Sequence, residues 1–196
     1  MMETRIIKIA LSVLMFFSLV SLDIHAVPAS KEYSAESAKK VDLTLKRIAK
    51  KRKKGDVFLR KVTFTQEELN AYLNLIYVKR YTPEVKSIQL KLGKKNYVDG
   101  TMKIKLVGKQ YEKVPSFLRD IEVEVSGTIE CENYRMRFLF EKLKVNGTSF
   151  SPEVLDEAFS AAQANFKIKK SMYDWFNLMP GIKSIAVELK KVTLFY

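Results

Sequence analysis

With 196 residues, 47% of them hydrophobic, the chain is long enough for one cored domain with appendages. A net charge of +13 favours anionic partners such as phosphate, membrane headgroups or acidic polymers. One cysteine and one histidine exclude an internal disulfide, paired-cysteine redox chemistry and the common zinc-ligand sets.

Arg5 and Lys8 precede an apolar run from Ile9 to Leu22, which ends at Asp23 and small residues at Ala26 and Ala29. The run is shorter than the about 20 residues of a membrane-spanning helix. A basic start, a short apolar core and a small-residue exit mark 1–26 as a signal peptide, cleaved after Ala26 or alternatively after Ala29; an uncleaved anchor is the other reading. The expected product is exported, periplasmic in a Gram-negative bacterium and otherwise secreted. Removing Glu3, Arg5, Lys8 and Asp23 leaves the net charge unchanged, and export disfavours nucleic acid as the anionic partner.

Residues 27–55 read as a basic amphipathic helix. Ala38, Val41, Leu45 and Ile48 recur at helical spacing opposite Lys39, Lys40, Lys46 and Arg47. The helix closes on Lys50, Lys51, Arg52, Lys53 and Lys54 before Gly55, a C-terminal cap. Five adjacent cations exceed what the helix dipole needs, so an anionic membrane surface is an alternative to simple solvation, at about 1 kcal/mol per cation.

Residues 56–196 form the main domain. Val57–Thr63 is expected as a first strand. Thr65 followed by Glu68 makes a capping box, with Phe64 and Leu69 spaced as a hydrophobic staple, and the helix should run to about Val78 before Pro83. From Val85 to Val145 apolar residues then fall on every second position through four segments: Ile88, Leu90 and Leu92; Met102, Ile104 and Leu106; Ile121, Val123, Val125 and Ile129; Met136, Phe138 and Phe140. A period of two with short gaps predicts an antiparallel meander with one apolar face. Between Gly108 and Asp120 the alternation lapses, and Tyr111, Val114, Pro115, Phe117 and Leu118 read as a lid or a core-packed loop.

Phe150, Ser151, Pro152, Glu153, Val154 and Leu155 repeat the order seen at Phe64–Leu69 and predict a second capped helix through Phe166. Shared capping and an internal duplication both explain the likeness. Lys167, Lys169 and Lys170 then precede Met172, Tyr173, Trp175, Phe176, Leu178 and Met179, which reads as an interfacial segment anchored by Trp175 or as a closing piece of core. A last alternating run, Ile182, Ile185, Val187 and Leu189, changes phase at Lys190 and Lys191 before Val192, Leu194 and Tyr196, the sign of a bulge or tight turn.

Catalytic inventory is thin. His25 falls within the signal, and no nucleophile elbow, phosphate-binding loop or dinucleotide fingerprint occurs. Glu122, Glu124 and Glu130 are the only carboxylates in a suggestive pattern, and cross-strand pairing with Lys103, Lys105, Arg135 and Arg137 accounts for them. Asn146–Gly147–Thr148 is a glycosylation acceptor only in a eukaryotic secretory pathway and otherwise a turn. The reading is a non-enzymatic protein without cofactor or metal.

The stretches 64–73 (FTQEELNAYL), 145–155 (VNGTSFSPEVL) and 179–194 (MPGIKSIAVELKKVTL), in the order strand, capped helix, meander, capped helix, closing strand, resemble the bacterial tubular lipid-binding (TULIP-like) superfamily, in particular its exported single-domain families of unknown function. The resemblance implies an α+β fold in which a long curved antiparallel meander is wrapped on two or three helices and encloses acyl chains, with no shared catalytic residues. A single copy would make a half-length tube, so a homodimer or an envelope protein would be its partner in any bridging role. The expected ligand is a lipid or other long amphiphile lying against Ile88, Leu90, Met102, Ile104, Val123, Val125, Phe138 and Phe140. Lys50, Lys51, Arg52, Lys53, Lys54, Lys169, Lys170 and Trp175 would face anionic headgroups. The alternative is a structural or adaptor protein of the envelope with a filled core, binding a protein or an acidic polymer.

Overall fold

The computed structural model describes residues 33–52, 60–81, 85–106, 119–151, 153–154, 156–157, 171 and 173–196. The signal peptide, Lys53, Lys54, the 108–118 loop, most of the second capped helix, Lys169 and Lys170 therefore lie outside the described residues.

The protein is a mixed α+β fold. Helix α1 (Ala35–Arg52) precedes strand β1 (Lys61–Thr65), helix α2 (Gln66–Tyr72), a π-helical stretch at Leu73–Tyr77 and a last helical turn, α3 (Val78–Tyr81). Strands β2 (Val85–Leu92), β3 (Tyr97–Lys105), β4 (Asp120–Glu132), β5 (Arg135–Val145) and β6 (Thr148–Phe150) follow, then β7 (Phe176–Asn177), β8 (Ser184–Glu188) and β9 (Lys191–Phe195). Strands β2 to β6 pair in chain order as an antiparallel sheet, with β7 added along β5, while β1, β9 and β8 form a second, three-stranded sheet.

The first strand lies further along the chain than periodicity predicts, at Lys61–Thr65, where it pairs in full with β9 from Lys61↔Phe195 to Thr65↔Lys191. Residues 57–59 of the expected strand lie outside the described set. The capping box is present as expected: Glu68 N–H donates to Thr65 Oγ1 and Thr65 N–H to the Glu68 carboxylate, with Phe64 fully buried before the helix. The helix does not stop at Val78. It widens at Leu73–Tyr77, where Val78 N–H donates to Leu73 O, five residues back.

Two-residue turns shape the hairpins. Lys95 and Asn96 (φ 55° and 60°), Asn133 and Tyr134 (47° and 63°), and Asn146 and Gly147 (49° and 80°) each hold the paired positive φ of a type I′ turn. The phase change near Lys190 is a turn, Leu189–Lys190, which leaves Leu189 exposed and not in the core. Phe150, expected to staple a helix, stands exposed in β6 opposite Leu143, because the Asn146–Gly147 turn sends the chain back along β5 before any helix begins. Ser151 still caps the residues beyond it: its Oγ accepts from Val154 N–H at 3.5 Å, and its hydroxyl holds the Glu153 carboxyl below the usual range. With Val154 at the third helical position there is no carboxylate to complete a box, so the likeness to Thr65–Leu69 extends only to the hydroxyl cap.

Side chains close the outer margin of β2. Asn70 donates to Leu90 O and accepts from Leu90 N–H, at 2.9 and 2.7 Å. Asn74 makes the same pair of bonds to Ile88, and Gln66 accepts from Leu92 N–H at 2.8 Å. Spaced four residues apart on one helix face, these carboxamides take the place of a neighbouring strand.

Candidate functional site

The register brings the predicted lining residues onto one face. Ile88 stands opposite Met102, which stands opposite Val123; Ile104 stands opposite Ile121, Val125 opposite Leu143, and Ile129 opposite Phe138. Ile88, Met102, Ile104, Val123, Val125 and Phe138 are buried, while Leu90 and Phe140 are half-buried beside them. Gly100 opposes Leu90 on this face, with Leu90 and Val125 side chains 3.4 and 3.5 Å from where its Cβ would be. The same core includes Val41 and Ile48 of α1, Tyr72, Leu73, Tyr77 and Val78 of the α2–α3 helix, and Val187, Val192 and Leu194 of the small sheet.

Phe138 and Phe140 pack edge to face at 4.6 Å, and Tyr173 adds a second edge-to-face contact to Phe140 at 6.2 Å. Burial pushes the Tyr173 phenol up, with Glu153 and Asp156 adding to it. Chain segment 173–177 then turns around the β5 edge, where Phe176 pairs with Met136 and Asn177 with Arg135. Trp175 consequently sits on the other side of the sheet from Phe138, its ring 4.8 Å from the guanidinium of Arg137 and 5.8 Å from that of Arg135. Leu178 and Met179, just beyond, are buried in the core.

The polar face is a lattice of paired charges. Lys103 meets Glu122 at 3.6 Å, Lys142 meets Glu124 at 3.1 Å, Lys105 lies 4.0 Å from Asp120, and Arg137 pairs with Glu130. Each of the three suggestive glutamates thus has a cationic neighbour across the strands. No cluster of potential metal ligands occurs among the described residues. The Cys131 thiol is half-buried, and burial raises its pKa against the opposing bond from the Ile185 amide.

Helix α1 buries Ala38, Val41 and Ile48 and turns Lys39, Lys40, Leu43, Lys46, Arg47 and Lys50 outward, before Lys51 and Arg52 close it. Asp42 is turned inward, held by Lys46 at 2.7 Å and Arg80 at 3.3 Å, and Lys40 pairs with Glu68 of α2. The outward face is therefore basic, with Leu43 exposed at its centre. No helix among the described residues is long and apolar enough to cross a membrane.

The carboxamide row Gln66, Asn70 and Asn74 escaped the sequence reading. Its sequence trace is a polar residue at every fourth position, 66, 70 and 74, running from α2 into the π-helical stretch. Comparison with protein-family models and with curated proteins returned no match to this chain.

Proposed function

We propose that this is an exported, non-enzymatic binding protein that holds a lipid or other long amphiphile against the apolar face of its large sheet and meets anionic headgroups through its lysines. In this reading the meander is a curved trough wrapped on the helices, as in the tubular lipid-binding superfamily that the sequence resembles. The observation that carries it is the continuous hydrocarbon strip along β4 and β5, from Ile121 and Val123 through Ile129 and Phe138. Ten residues of strand extend about 33 Å, longer than a fatty-acyl chain. The basic outward face of α1 supplies a counter-charge for a phosphate or carboxylate headgroup.

A second reading has its own support. Six of the eight lining residues are buried by protein side chains and backbone alone, as in an envelope adaptor whose core is filled by protein. Native mass spectrometry and organic extraction of the mature protein from its own host separate the two. A carrier returns a bound amphiphile in stoichiometric amount; repeated recovery of bare polypeptide, with no uptake of a fluorescent fatty acid, overturns the carrier reading in favour of the adaptor.

A further inference from the structure

The β2–β3 turn and the β8–β9 turn are joined by hydrogen bonds. Lys190 N–H donates to Leu92 O at 3.0 Å, Asn96 N–H donates to Val187 O at 3.1 Å, and Val187 N–H donates back to Asn96 Oδ1 at 2.7 Å. The β2–β3 turn and the β8–β9 turn therefore form a single tip. Exposed on it are Lys91, Lys94, Lys95, Lys190 and Lys191, and with them Leu189, at 55% exposure the most exposed of the large hydrophobic side chains among the described residues. The acidic groups on the same strands are Glu188, which faces Lys191 across the hairpin, and Asp99 opposite Lys91; Glu67 and Glu68 lie nearby at the start of α2, Glu68 paired with Lys40. Among the described residues no side-chain hydrogen bond or ion pair holds any of the five ammonium groups.

Two of these lysines occupy positions that folding alone disfavours. Lys95 and Lys190 have φ of 55° and 59°, the left-handed region where glycine or asparagine is relaxed and a long side chain is not. A leucine at the apex of one turn is likewise no help to a water-facing hairpin. We propose that this tip is a membrane-docking surface, in which Leu189 enters the headgroup layer of an anionic bilayer while Lys94, Lys95 and Lys190 meet lipid phosphates. An exposed leucine ringed by cations favours a bilayer over a soluble acidic polymer, because only the bilayer offers hydrocarbon beside its negative charge. The surface deepens the carrier reading and rests on it, since it names the part of the protein that approaches the ligand's source.

The test is co-sedimentation of the mature protein with vesicles of phosphatidylglycerol and phosphatidylcholine. Leu189→Ser should weaken partitioning several-fold, and Lys95→Gly with Lys190→Gly should weaken it about fivefold per lysine while melting no lower than the parent. Retained stability makes the loss one of binding and not of folding. Lys39→Glu with Lys50→Glu on α1 is the comparison: a loss there with none at the tip overturns the proposal and leaves the carrier reading standing. Vesicle binding unaffected by Leu189→Ser, equal binding to a soluble polyphosphate, or no binding by the parent also overturns it. Extraction of bound amphiphile from the same samples reports on the carrier reading separately.

Discussion

Glu68 shows how one side chain ties a cap to a packing contact. Burial opposes its ionisation, but the hydrogen bond and charge of Lys40 and the Thr65 amide outweigh burial and hold its carboxyl below the ordinary 4.5. A carboxyl depressed in the folded state stabilises fully above pH 4.5, and that contribution is lost as pH falls through its lower folded value. Glu68→Gln should therefore be less stable than the parent near neutrality, by about 1 kcal/mol, and the gap between their urea midpoints should close in acid. A gap that stays constant with pH would assign the loss to packing. Lys190 offers the opposite case. Its left-handed backbone carries a cost that glycine removes without touching the amide bonded to Leu92, so Lys190→Gly should raise stability by about 1 kcal/mol in thermal or urea unfolding. Unchanged or lower stability would mean that the lysine side chain has a stabilising partner.

At the scale of elements, the meander was legible because alternation is a strong signal where one sheet face is buried and the other carries charges. Ile88, Met102, Val123 and Phe138 all fell where their spacing put them. The small sheet was not legible as a separate unit: β1, β8 and β9 are five residues each, and nothing in five residues says which partner they choose. The carboxamide row was missed because Gln66, Asn70 and Asn74 look like any polar helix stripe until a strand margin lies beside them. Replacing Asn70 by leucine leaves both Leu90 backbone groups unpaired in a buried setting and should cost about 2 to 4 kcal/mol in urea unfolding. Asn70→Ala with Asn74→Ala should in addition expose β2 to strand pairing, seen as concentration-dependent association in size-exclusion chromatography; a monomer at all concentrations would show that the helix body alone screens the strand. Gly127 marks another constraint. The register slips between Ser126 and Gly127, and a Cβ there would lie 2.0 Å from Leu139 O, so Gly127→Ala should cost about 3 kcal/mol or prevent folding. Near-parental stability would mean that the bulge can re-form elsewhere.

For the whole molecule, the question is how two sheets behave as one body. Asn96 joins them: its backbone carbonyl accepts from Ile129 N–H, while its amide N–H and side-chain oxygen bond Val187. Asn96→Gly keeps the left-handed turn and the backbone bonds and removes only the side-chain link, so about 1 kcal/mol should be lost. Hydrogen exchange should then show β8 deprotected before β4; uniform loss of protection would mean that the sheets unfold together regardless. The candidate site divides in the same way. Its apolar residues could be read from the chain because hydrophobic periodicity encodes which face a side chain takes. The joined tip could not, since Lys94, Lys95 and Lys190 lie in turns nearly a hundred residues apart and meet only through Leu92, Asn96 and Val187.

A strand bordered by another strand is indifferent to its neighbour's letters, because any peptide backbone supplies the same donors and acceptors. Here the border depends on two asparagines and a glutamine keeping their –NH2 or C=O groups. Slow hydrolysis of Asn70 or Asn74 to an acid would swap a donor for a negative oxygen aimed at a carbonyl. The protein's lifetime is thus coupled to the chemical ageing of its amides, and a gain of about one mass unit at either position should precede loss of the fold.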